Sequence, residues 1–189
     1  MNEAINTERL TLAPITPEHI AAFFRSRTEL GSLLGVEVPA DWPVFPEGME
    51  YWREKSDKLI RDAGWAGYLF IHRKDGRVVG DGGFKGPPDD EGIVETGYAI
   101  IPEYRGKGLA TEAEQALINW AFSHPEVKFV TAETLTNGKD SMRVLEKLGM
   151  AYMGVRADPK DGAVFLWRLS REDYNTPRTP PETDRCPYN

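Results

Sequence analysis

Cysteine is almost missing from this chain: of 189 residues only Cys186 carries a thiol, so no internal disulfide can form. That scarcity suits a reducing compartment, and the cytoplasm is the expected location. Histidine is scarce as well. His19, His72 and His124 stand far apart, none at ligand spacing from another histidine or from the cysteine, so no metal centre is expected. No apolar run approaches the ~20 residues of a membrane span, and the opening Met1-Asn2-Glu3-Ala4-Ile5-Asn6 lacks the basic stretch and apolar core of a secretion signal. Basic residues are outnumbered, 23 Lys and Arg against 30 Asp and Glu, giving a formal net charge of −7. That sign argues against a broad nucleic-acid surface and agrees with a cationic partner such as an amine.

What is present is ordinary for a globular protein: 40% hydrophobic and 28% charged residues, enough for one domain with a real core. One stretch stands out. Tyr104-Arg105-Gly106-Lys107-Gly108-Leu109-Ala110-Thr111 follows an apolar extended run, Ile93 to Ile101, and opens a helical pattern. Leu109, Ala113, Ala116, Leu117 and Trp120 recur on one helical face. A strand therefore runs into a glycine-bearing turn and then into a helix N-terminus, where unpaired N–H groups and the helix dipole favour an anion. Gly106 and Gly108 let the backbone approach a bulky anion, and Arg105 and Lys107 add positive charge. The stretch reads as a pyrophosphate cradle. It lacks the third glycine of a dinucleotide fingerprint, having Thr111 there, and no P-loop string exists in the chain.

The rest of the chain alternates short elements. Arg9 to Pro14 reads as a strand; Thr16-Pro17 caps a helix running to about Arg27, and Gly31 to Pro46 reads as a loop. A helix is predicted over Gly48 to Arg61, then a hairpin of Tyr68–His72 and Val78–Phe84 turning at Asp75-Gly76. After the cradle helix, ending near Ser123, come a strand at Phe129–Thr134 and a helix at Ser141–Leu148 closed by Gly149. A last strand pair includes Val155 and Ala163–Leu169, turning at Asp161-Gly162. Residues 1–172 are assigned to one domain and the proline-bearing residues 173–189 to a flexible tail.

Arg105-Gly106-Lys107-Gly108-Leu109-Ala110 resembles motif A of the GNAT superfamily of N-acetyltransferases, Arg/Gln-x-x-Gly-x-Gly/Ala. Upstream, Glu95-Thr96-Gly97-Tyr98-Ala99-Ile100 looks like the family's fourth strand, and downstream the segment Asn137 to Met150 looks like its last helix and closing turn. The opening Glu8-Arg9-Leu10-Thr11-Leu12 and the ending Lys147-Leu148-Gly149-Met150 are similar to the RimJ/RimL branch. The resemblance covers roughly Arg9 to Leu169. It implies an α/β fold: a mixed, mostly antiparallel sheet of about seven strands flanked by helices.

It also implies an acetyl-CoA-dependent N-acetyltransferase acting on a primary amine, either a protein N-terminus or a small molecule, by direct transfer in a ternary complex. The backbone of Tyr98, Ala99, Ile100 and Ile101 would run beside the pantetheine arm, with Asn137 on one of its amides. Arg105 and the backbone of Gly106, Lys107, Gly108, Leu109, Ala110 and Thr111 would meet the pyrophosphate. Glu95 is the expected base. The tyrosine that many members carry on the last helix is replaced by Leu145, and Ser141 is the expected acid in its stead, a serine there serving otherwise as a helix cap. The acceptor is expected between the Gly31–Pro46 and Phe84–Asp90 stretches, near Glu37, Trp42, Phe45 and Phe84. No metal, nucleic acid or membrane partner is expected, and a homodimer is the candidate assembly. From the residues alone, a non-catalytic acyl-CoA-binding module and a nucleotide-binding protein stay open as rival readings.

Overall fold

The computed structural model describes residues 3–62 and 64–176. Strands β1 (Ile5–Asn6), β2 (Leu10–Pro14), β3 (Gly67–His72), β4 (Arg77–Phe84), β5 (Ile93–Ile100), β6 (Phe129–Leu135), β7 (Ala151–Asp158) and β8 (Gly162–Ser170) form one sheet. Their order is β1-β2-β3-β4-β5-β6-β8-β7, mostly antiparallel, with β5 and β6 parallel. The sheet thus has eight strands where about seven were expected. The addition is β1, two residues paired with β2 through Ile5↔Leu12 and Asn6↔Thr11, too short to show a period-2 pattern. Contacts gather the chain into two compact units. One comprises the described residues up to Pro87 with Tyr98–Leu117; the other comprises Pro88–Gly97 with the described residues from Ile118 onward.

In the first unit, β2, β3 and β4 bury Leu10, Leu12, Leu69, Phe70, Val78 and Val79. The β3–β4 turn closes on Gly76, whose φ of 58° is a left-handed value that glycine adopts without a Cβ clash. Helix α1 (Pro17–Arg25) starts as predicted: Thr16 Oγ1 accepts from His19 N at 3.2 Å, and His19 Nδ1 accepts from Thr16 N at 3.2 Å. The helix expected to reach Arg27 stops sooner, and a second, α2 (Arg27–Leu34), fills part of the stretch read as a loop. The cause is local: extended Ser26 ends α1, and its Oγ accepts from Glu29 N at 3.0 Å to cap α2. Likewise the helix expected over Gly48–Arg61 is two, α3 (Pro46–Glu54) and α4 (Ser56–Arg61), broken at Lys55.

In the second unit, β6, β8 and β7 form an antiparallel ladder with pairs such as Ala132↔Trp167 and Val155↔Phe165. The parallel ladder of β5 with β6 runs from Ile93↔Phe129 to Thr96↔Ala132 and ends there. Helix α5 (Leu109–Phe122) contributes to both units. Its last carbonyl and two in the segment that follows are collected by Arg171, which donates to Phe122 O and Val127 O, each at 2.8 Å, and to His124 O. Helix α6 (Lys139–Lys147) buries Met142 and Leu145. Helix α7 (Arg171–Asn175) makes the first residues assigned to the tail helical, while residues 177–189, with Cys186, lie outside the described residues. The face expected on α5 also differs in part: Ile118 and Ala121 are fully buried, whereas Ala116 and Trp120 are half-buried.

Candidate active site

In the first unit β5 leads through Ile101 and a 3-10 turn (Pro102–Tyr104) into the glycine stretch and α5. Gly106 and Gly108 sit at φ 71° and 79°. A Cβ at Gly106 would meet nothing and one at Gly108 would lie 3.5 Å from Arg9 Nη2, so conformation rather than space demands glycine at both. Glu112 N donates to Gly108 O at 3.1 Å and begins the helical ladder. The N–H groups from Gly106 to Thr111 donate to no acceptor among the described residues. Such donors, gathered at the positive end of a helix dipole and exposed from Arg105 to Gly108, suit a polyanion.

The loop is held in place from below. Arg9 Nη1 donates to Lys107 O at 2.8 Å and Arg9 Nε to Glu112 Oε2 at 2.6 Å. Glu112 Oε1 accepts from Arg9 N at 2.7 Å and from Thr7 Oγ1 at 2.6 Å. Burial pushes the Glu112 pKa up, but these hydrogen bonds outweigh it and leave the carboxyl below its ordinary value. On the other side Tyr104 OH donates to Asp75 Oδ2 at 2.6 Å, holding Asp75 below its ordinary pKa, and Lys107 Nζ lies 4.5 Å from the centre of the Tyr104 ring. Arg105 turns back on the strand, its Nε donating to Ile100 O at 2.8 Å. Of the remaining residues expected along the cofactor, Tyr98 is half-buried and Ala99, Ile100 and Ile101 are buried.

The expected acceptor residues separate into different environments. Trp42 is fully buried, its ring edge-on to Phe23 at 5.5 Å between centroids, its Nε1 donating to Asp81 Oδ1 at 2.8 Å. Phe84 is enclosed against Trp65, centroids 5.2 Å apart. Phe45, at the start of α3, is 58% exposed. Glu37 is exposed but engaged: it forms a backbone bridge with Arg77 at the start of β4 and lies 3.3 Å from Arg77 Nε, which Glu103 also neutralises at 2.9 Å from Nη1.

In the second unit Glu95 is half-buried on β5, across from Thr131 of β6. Ser141 is half-buried in the first turn of α6. Gly138, which has no side chain to cap with, is the N-cap of that helix. Asn137 is exposed just before, its carbonyl accepting from Lys139 N at 3.0 Å. Leu145 is wholly enclosed.

Sequence reasoning did not assign Arg9, Thr7 or Glu112 to the site. A signal was available: Arg9 lies in the opening that resembles the RimJ/RimL branch, and Glu112 lies in the first turn of the helix expected to meet the anion, where an unpaired acid would repel it.

The acetyltransferase (GNAT) domain profile matches residues 9–151. The uncharacterized N-acetyltransferase YjdG of Bacillus subtilis (strain 168) is 34% identical over 147 residues, covering 77% of this chain and 88% of its own length. Among solved structures, RimL, a ribosomal-protein α-N-acetyltransferase in complex with coenzyme A, superposes with a TM-score of 0.68 at 15% identity, over 92% of this chain and 100% of that one. A ribosomal-protein alanine acetyltransferase from Vibrio fischeri gives 0.67 at 18% identity, over 93% and 100%.

Proposed function

This chain belongs to the acetyltransferase (GNAT) domain family, and from that premise we propose that its residues carry out acetyl transfer from acetyl-CoA to a primary amine as follows. The observation that carries the assignment is the run of uncommitted N–H groups from Gly106 to Thr111 at the start of α5. Those groups hold the pyrophosphate, with Lys107 as the neighbouring positive charge. The backbone from Tyr98 to Ile101 runs along the pantetheine arm like an added strand, and Asn137 takes one of its amides. Acetyl-CoA supplies the acyl group already activated as a thioester.

The chain's task is therefore positioning and proton handling. Holding the two reactants in attack geometry lowers the barrier by as much as about 7–11 kcal/mol in favourable cases. Glu95 takes the proton from the acceptor ammonium, directly or through a water, so that the nitrogen lone pair can form the new C–N bond. Ser141 donates a proton to the sulfur as the C–S bond breaks. Each of these roles is worth about 10²–10⁴-fold. No acyl-enzyme is needed. The acceptor is a protein N-terminal amine or a small-molecule amine, and the reducing interior of the cell is the compartment that fits a single thiol.

The test measures cofactor binding and turnover separately. Acetyl-CoA at 100 times its dissociation constant should add about 2.7 kcal/mol to stability, and neither ATP nor NAD should match it. Glu95→Gln and Ser141→Ala should retain that melting shift and lose about 10²-fold or more in amine-dependent thiol release. Full turnover in both variants would remove these two assignments; no acetyl-CoA shift in the parent would remove the whole reading.

A further inference from the structure

Strand β4 reads Arg77-Val78-Val79-Gly80-Asp81-Gly82-Gly83-Phe84, and Asp81 is the one charge between Arg77 and Lys85. Its environment is unlike that of the other carboxylates in the first unit described above. Glu112 is matched by Arg9, Asp75 by Tyr104 with His72 nearby, and Glu37 and Glu103 by Arg77. Asp81 has one partner among the described residues, the Trp42 indole on Oδ1. No cation pairs with it, and Oδ2 accepts nothing there. Burial pushes its pKa up to about 6, the Trp42 N–H pulling only weakly the other way.

A carboxylate so placed costs stability, and the fold gains nothing structural from the charge. Trp42 does not need an anion to stay where it is. It is fully buried, packed on Phe23, and its carbonyl accepts from Arg27 Nε at 3.1 Å. An amide at position 81 would accept the same indole hydrogen bond without the cost. What the arrangement does is fix one oxygen rigidly and leave the other open on a side chain that is only part-buried. The position is also telling. A Cβ on Gly80 would fall 2.2 Å from Ala99 O, so β4 lies against the strand assigned to the pantetheine arm at the residue next to Asp81.

We propose that Asp81 binds a cationic group of the acceptor, so that this enzyme favours acceptors carrying a second positive charge beside the reacting amine. The inference rests on the acetyltransferase reading above. The cation is distinct from the reacting nitrogen, which attacks as the neutral amine once Glu95 has taken its proton. A charge that persists through the reaction is what an ion pair with Asp81 can exploit, and the net charge of −7 draws such acceptors in.

The experiment is a titration by calorimetry of the enzyme saturated with coenzyme A. Two probes are compared: a linear α,ω-diamine and the amino alcohol of equal length, in which a hydroxyl replaces one ammonium. The parent should bind the diamine about tenfold more tightly or better. Asp81→Asn should erase the difference by weakening the diamine alone, with acetyl-CoA affinity unchanged. In turnover the same variant should raise KM for the diamine while kcat stays within about twofold. Equal binding of the two probes by the parent, or an equal loss of both in the variant, overturns the inference and leaves the acetyltransferase reading standing. Failure to bind acetyl-CoA at all overturns that underlying reading, and it is scored independently of either amine.

Discussion

Glu112 and Asp81 are both acidic, both at least part-buried and both in the first unit, yet their pKa values move in opposite directions. Around Glu112 the chain gathers Thr7 Oγ1, Arg9 N and Arg9 Nε, and the carboxylate is stabilised. Around Asp81 it supplies one indole N–H. The difference follows from what each neighbours. An acid in the first turn of α5 favours the helix dipole but opposes a pyrophosphate bound at the same end, and a matched charge reconciles the two. Asp81 has no such conflict to settle, and its missing counter-ion can come from outside. Compensation marks the carboxylate that supports a site; its absence marks the one that receives a ligand.

The largest effect should come from breaking the compensated side. Arg9→Ala removes the guanidinium donors to Glu112 Oε2 and to Lys107 O together, and acetyl-CoA affinity should fall about 10²-fold, or roughly 2.7 kcal/mol. Adding Glu112→Gln should recover about half of that free energy, because the uncompensated charge is then gone. Calorimetric titration of the two single variants and the double variant with acetyl-CoA reads the coupling directly. Additive losses would mean that Arg9 acts only on the loop carbonyl.

Next is the stability of Asp81→Asn. A carboxyl with a raised native pKa keeps a proton that the unfolded chain has already lost, between the ordinary aspartate value and about 6. The parent therefore loses stability as pH rises through that window and does not regain it above. The asparagine variant should be more stable than the parent by on the order of 1–2 kcal/mol at pH 8 and by almost nothing at pH 4. Urea melts at the two pH values decide it. A variant that is less stable at pH 8 would give Asp81 a structural role and weaken the contrast with Glu112.

The smallest effect belongs to His19, a control away from both carboxylates. Burial pushes its pKa down, and as the Nδ1 acceptor in the α1 cap it must be neutral. Its contribution is present above the ordinary histidine value of about 6.5 and fades as pH falls through that value toward the lower native one. His19→Gln keeps an acceptor in the cap and should flatten the stability slope between pH 7 and 5 by several tenths of a kcal/mol. An unchanged slope would show that the ring carries no proton-linked stability.

The glycine turn and the start of α5 were legible in the sequence because everything that makes them is contiguous. Glycines that need positive φ, the cationic Arg105 and Lys107 beside them and the apolar face of α5 lie within one short run. The Asp75-Gly76 turn, the Thr16-Pro17 cap and the β4, β5 and β6 strands were legible for the same reason. Ser26 with Glu29 three residues on has the form of a helix start, hidden by a helix expected to reach Arg27 and a loop expected from Gly31. Trp42, expected to line the acceptor, is enclosed, because an aromatic in a connecting segment can be drawn into the core as readily as left at its surface.

By itself, then, the sequence determined the glycine turn at the start of α5, since backbone conformation, helix periodicity and a helix N-terminus are set by neighbours along the chain, and the family resemblance of that turn and its flanking segments implied the cofactor. Tertiary structure decided which charges are compensated. Arg9 and Glu112 are 103 positions apart, Trp42 and Asp81 39. No local rule joins residues so distant. Their pairing, the hydrogen bonds that hold Glu112 below its ordinary pKa and the burial that pushes Asp81 above its own exist only once the strands and helices between them have packed.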